Sequence, residues 1–127
     1  AAGYSTEEQT ADSIRKTYEK TGYVMDTHTA VAAVAYDKYK AATGDDKTPT
    51  VIASTASPYK FTRSVMDAIS EGHENLDDFG LADALEKLSG VAVPKAVNDI
   101  RTAPVLHDRV VDAEDMPATV KEILKIS

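Results

Sequence analysis

Apolar positions fall at helical spacing through most of this chain, and one short run breaks the rhythm. Over residues 7–20, Ala11, Ile14 and Tyr18 recur along one face, which predicts an amphipathic surface helix. Ser5 and Thr6 supply N-cap side chains, Glu7 and Glu8 suit the positive helix end, and Gly22 marks the stop. A second helix is predicted over residues 29–42, with Thr27 or Thr29 as its cap. Its first half, residues 30–36, is apolar on every side, the pattern of a helix buried on several faces. Asp37, Lys38 and Lys40 then carry it into solvent.

After the turn cluster at residues 43–47, the rhythm changes. Residues 50–55 read Thr-Val-Ile-Ala-Ser-Thr, a nearly continuous β-branched and small run that predicts a strand covered on both faces, as in a parallel sheet. A third helix follows over residues 60–70, with Phe61, Val65, Ala68 and Ile69 on one face and Gly72 at its end. Residues 71–80 are acidic and read as a surface excursion. Leu81, Leu85 and Leu88 mark a fourth helix closed by Gly90, and Pro94 opens a fifth whose face is Val97 and Ile100. Residues 104–107 read as extended. Met116, Val120, Ile123 and Leu124 mark a terminal helix with Asp115 as candidate cap.

Helix, strand and helix in that order predict a layered α/β fold: one unit over residues 1–127, rich in helices, with a parallel-sheet remnant flanked by them. Five or six helices surround too few strands, so the missing neighbours are expected in a longer parent protein. The opening Ala1-Ala2-Gly3-Tyr4, without methionine, reads either as a cut from such a parent or as loss of an initiator methionine.

Composition narrows the function classes. At 127 residues, 43% hydrophobic and 28% charged, the chain is an ordinary globular domain rather than a disordered one. Its net charge of −7 disfavours a nucleic-acid backbone or an anionic membrane surface as partner. The absence of cysteine excludes disulfides and thiolate metal sites. No apolar run is long enough for a signal peptide or a membrane span, so a cytoplasmic protein is expected.

Two places could carry chemistry. Ser54, Thr55 and Ser57 stand where the predicted strand meets its loop, the edge at which open α/β sheets bind ligands. Hydroxyls there can donate to a ring nitrogen, or they can simply cap the next helix. The other place is Asp26-Thr27-His28-Thr29, at a helix N-terminus whose free N–H groups suit an anion. There His28 adds a hydrogen-bond donor; equally, Thr29 caps the helix while His28 packs structurally. His28, His73 and His107 are too dispersed in sequence to suggest zinc, and residues 71–78 lack the spacing of a calcium loop. Lys60 could meet a phosphate at the start of the third helix, or stand on the surface.

Taken together, Asp26-Thr27-His28-Thr29-Ala30-Val31, the small-residue helix, and the run Ser54-Thr55-Ala56-Ser57-Pro58-Tyr59-Lys60-Phe61 resemble the C-terminal part of bacterial threonine synthases. Residues 18–23, 3–5, 93–95 and 105–107 fit more loosely. Thr27 stands where the family usually has proline, and Ser57 where it often has histidine, so no role is carried over to position 57. The resemblance implies a fold type II pyridoxal-phosphate enzyme converting O-phospho-L-homoserine and water to L-threonine and phosphate. It implies that Thr55 faces the cofactor's pyridine nitrogen with Ser54 beside it, and that His28 and Thr29 bind substrate. The Schiff-base lysine and the Gly-rich phosphate cradle belong to the family's N-terminal part. Neither motif is present here, so no catalytic residue is expected in this chain, and the chain alone is expected to be inactive. Two other readings stand beside this one: another lyase or dehydratase of the same superfamily, and an autonomous helical α/β interaction module using residues 30–36 as its partner face.

Overall fold

The computed structural model describes residues 2–126. Among them 58% are helical and none lies in a strand, so the predicted α/β class and its parallel-sheet remnant are wrong. The elements run α1 (Glu7–Thr21), α2 (Thr27–Thr43), a 3-10 turn (Pro58–Lys60), α3 (Thr62–Ile69), α4 (Asp78–Ser89), α5 (Lys95–Ile100), a second 3-10 turn (Ala113–Asp115) and α6 (Met116–Leu124).

The segment predicted as a strand shows why the class fails. Residues 50–55 are irregular, and Val51 is 94% exposed. A strand exists only by exchanging hydrogen bonds with a neighbour, and no other segment among the described residues lies alongside as one. The β-branched run records a preference that nothing among the described residues completes.

The helices themselves follow from local chemistry. Thr6 and Gln9 close a reciprocal capping box at the start of α1, each side chain bonding the other's backbone N–H at 3.2 Å. Gly22 ends α1 in the left-handed conformation (φ 74°), donating its N–H to the Tyr18 carbonyl, a geometry that costs a side-chain-bearing residue more. The cap of α2 is Asp26, not Thr27 or Thr29: its carboxylate accepts the N–H groups of His28 and Thr29, and Thr27 is already helical. Asp115 makes no side-chain cap on α6, and Pro94 sits just outside α5, with Lys95 as the first helical residue.

α1 packs against both α2 and α3, and α3 packs against α4. Ile14 of α1, Val65 and Met66 of α3, and Leu81 and Leu85 of α4 are essentially removed from water, joined by Val24, Met25, Ala30, Tyr59 and Val93. These side chains are the core. The Tyr59 hydroxyl donates to the Val91 carbonyl, pinning the chain entering α3 to the chain leaving α4. Arg101 clasps Asp83 with two hydrogen bonds of 2.6 and 3.2 Å and lies over the Phe79 ring, which ties the end of α5 to α4.

Residues 30–36 of α2 are not buried on several sides as their composition predicts. Ala30 is fully buried, but Val31 is 37% exposed and residues 32–36 are half-buried. α1 covers one face only. Beyond Arg101 the described chain is exposed except at Thr119, which is half-buried; Val105, Leu106, Val120, Ile123 and Leu124 are all among the exposed residues. An ion pair between Arg109 and Glu122 links the arm to α6. No helix among the described residues is long and apolar enough to cross a membrane.

Candidate functional site

The site assembles at the N-terminus of α2. Asp26 is 1% exposed, and a carboxylate so placed must find hydrogen-bond donors. Its Oδ1 accepts the N–H groups of His28 at 2.9 Å and Thr29 at 3.2 Å. Its Oδ2 takes the Thr29 hydroxyl, and the Ser54 hydroxyl stands 3.3 Å from the same oxygen. Thr29 Oγ1 and Ser54 Oγ are 2.9 Å apart. Two hydroxyl protons thus serve three close contacts around one charge, a closed triangle with no unsatisfied side-chain atom among the buried ones described.

Burial alone pushes the Asp26 carboxyl up, and it is the largest single influence. Against it stand the hydrogen bonds from the Thr29 hydroxyl, the Thr29 and His28 N–H groups and the Ser54 hydroxyl. Together they hold the group below the ordinary aspartate value. Asp26 is therefore a buried anion at neutral pH.

The sequence-predicted residues divide around this triangle. His28, Thr29 and Ser54 come together. Thr29 is buried, while the His28 side chain is 57% exposed, with Nδ1 3.4 Å from Asp26 Oδ1 and its ring tilted against Phe61 at 5.3 Å. Thr55, next to Ser54, is exposed, and its hydroxyl meets no hydrogen-bond partner among the described residues. Ser57 accepts the Tyr59 N–H and so caps the 3-10 turn. Lys60 is exposed, with Nζ 5.5 Å from the Phe61 ring. Ser54 and Thr55 are not at the end of a strand: they lie in an irregular segment docked on a helix N-terminus.

Asp26 is the residue that sequence reasoning missed as the hub. The available signal was its position, since Asp leads the N-cap ranking and stands three residues before a hydroxyl that can bond back to it.

Part of this site, from Thr29 through Ser54 and Thr55, falls within a stretch of sequence that matches known proteins. The family profile described as "Threonine synthase, C-terminal" matches residues 29–92, half of the chain, and the chain belongs to the threonine synthase family. It is 40% identical over 68 residues to mouse threonine synthase-like 1 and 39% identical over 69 residues to the human one, in each case 54% of this chain and 9% of the relative. It is 35% identical over 88 residues to threonine synthase of Saccharomyces cerevisiae, 65% of this chain and 17% of that protein. The chain thus spans less than a fifth of the length of these relatives. No solved structure matches it.

Proposed function

We propose that this chain forms one wall of a pyridoxal-phosphate cleft in a threonine synthase, whose other wall is an N-terminal part of the same enzyme. The observation that supports it most is the pairing of an anchored Ser54 with an unpartnered Thr55 hydroxyl. An exposed hydroxyl beside an anchored residue, with no hydrogen-bond partner among the described residues, is open to an acceptor brought by something else. The residues present fit that part of the cofactor: Thr55 would donate to the ring nitrogen, and Ser54 would hold Thr55 in place. The exposed His28 imidazole would orient O-phospho-L-homoserine, and Thr29, whose N–H and hydroxyl are given to Asp26, would serve that site by fixing this end of α2.

When bound, the cofactor supplies the electron sink for removing substrate protons and for the departure of phosphate. The chain contributes polarity control. A carboxylate beside the ring nitrogen would keep it protonated, whereas a neutral hydroxyl donates to an unprotonated nitrogen and tempers the sink. Asp26, the carboxylate nearest Ser54, has its charge taken up by four donors and buried within its own triangle. On this reading the chain alone does not hold the cofactor tightly or turn over substrate, and the whole enzyme is a lyase of cytoplasmic threonine biosynthesis.

The test is turnover of O-phospho-L-homoserine by the longer protein carrying this chain, with Thr55→Val as the variant. The reading predicts threonine and phosphate from the parent and a loss of kcat in the variant; an unchanged kcat sinks the role of Thr55. The identity to proteins named threonine synthase-like favours, as a second reading, a related lyase of the same fold type. Supplying alternative hydroxy- and phosphohydroxy-amino acids to the same parent separates the two.

A further inference from the structure

Across residues 49–56 the chain is irregular, with Ile52 and Ala56 half-buried and one residue tied to the helical body by hydrogen bonds. Upstream, Asp45 caps its own turn by accepting the Lys47 and Thr48 N–H groups. Downstream, Tyr59 is locked into the core. Between them, among the described residues, the hydrogen bonds that reach the helical body are those of Ser54, to Asp26 and Thr29. Asp26 in turn is fixed by its role as the α2 cap.

We infer that Asp26 is a positioning residue: together with the Thr29 hydroxyl, which it orients, it holds Ser54, latches the irregular segment onto α2 and so sets the place of the neighbouring Thr55 hydroxyl. The physical logic is economy of partners. One buried carboxylate has about four acceptor sites; two of the groups it accepts are backbone N–H groups of α2, and the other two are the Thr29 and Ser54 hydroxyls. Helix capping and loop placement are thereby the same interaction. This inference rests on the cofactor reading for its purpose, but the latch itself is a property of this chain.

The experiment measures backbone ¹⁵N relaxation across residues 50–57 in the chain and in three variants. Ser54→Ala removes the latch and leaves the α2 cap whole. Asp26→Ser keeps a good N-cap, but its single short hydroxyl cannot also reach Ser54. Ser54→Thr retains the hydroxyl. The heteronuclear NOE of the Thr55 amide is expected to match that of Ala30 in the parent and in Ser54→Thr, and to fall well below it in Ser54→Ala and Asp26→Ser, with the α3 and α4 amides unmoved. Equal rigidity of Thr55 in all four proteins overturns the latch.

In the cofactor-loaded longer protein, Ser54→Ala and Asp26→Ser are expected to shift the cofactor's visible absorbance as Thr55→Val does, and Ser54→Thr to restore it. If Thr55→Val leaves that absorbance unchanged while the relaxation result holds, the latch stands and the cofactor reading falls.

Discussion

The Ser54 hydroxyl sits 3.3 Å from Oδ2 of Asp26 although 28 positions separate them in the chain. That contact joins the segment between α2 and α3 to the helix it follows. It also places the charge of a buried carboxylate beside two hydroxyls rather than beside solvent.

Removing the carboxylate therefore has two costs. Asp26→Ala strips the α2 cap, worth roughly 0.5–2 kcal/mol in comparable helices, and leaves the Thr29 and Ser54 hydroxyls without their acceptor. Chemical denaturation is expected to show a loss of about 2 kcal/mol, at the upper end of the capping range. Asp26→Asn, which can still accept the two N–H groups, is expected to lose less.

The same group links stability to acidity. The folded-state pKa of Asp26 lies below its ordinary value, so its contribution is fully present above the unfolded pKa of about 4 and fades as pH falls through the folded one. Thermal unfolding followed downward from pH 7 should show a falling Tm below about pH 4. In Asp26→Asn that acid limb should be shallower, because the variant has no carboxylate to protonate there.

Core and α6 should respond very unequally to the same truncation. Leu85 is fully buried in α4, and Leu85→Ala is expected to cost about 2–5 kcal/mol by removing contacts and leaving a cavity. Leu124 in α6 is 60% exposed, and Leu124→Ala is expected to change the unfolding free energy by less than about 0.5 kcal/mol. Denaturation midpoints with matched slopes read both.

At the far end of the core, where Val97 packs, a clasp ties the end of α5 to α4. Arg101 offers Asp83 two parallel N–H donors and stacks on Phe79, a fork that lysine cannot reproduce. Both Arg101→Ala and Arg101→Lys are expected to raise hydrogen exchange across α5 while leaving α1, α3 and α4 protected.

Most of the helical framework was legible because its signals are local. Thr6 before Glu7 and Glu8, Gly22 after Lys20, and Gly90 after Leu88 each act within a turn of their own helix, and each appears where expected. The strand at residues 50–55 failed because its signal is not local: β-branched residues state a preference that only a hydrogen-bonded neighbour converts into a strand. The half-exposed face of α2 is the same lesson in another form, since an apolar helix predicts burial without supplying what buries it. At the site, the motif residues His28, Thr29 and Ser54 were legible as a group. The hub was legible only as a helix cap, from its position three residues before Thr29; its tertiary contact with Ser54 is encoded by no spacing rule.

The central claim is that Thr55 presents its hydroxyl to the ring nitrogen of pyridoxal phosphate. The direct measurement is the visible absorbance of the cofactor bound to the longer protein, recorded across pH for the parent and for Thr55→Val. The account predicts a displaced band and an altered pH dependence in the variant, with the helical circular dichroism retained; superimposable spectra at every pH would contradict it.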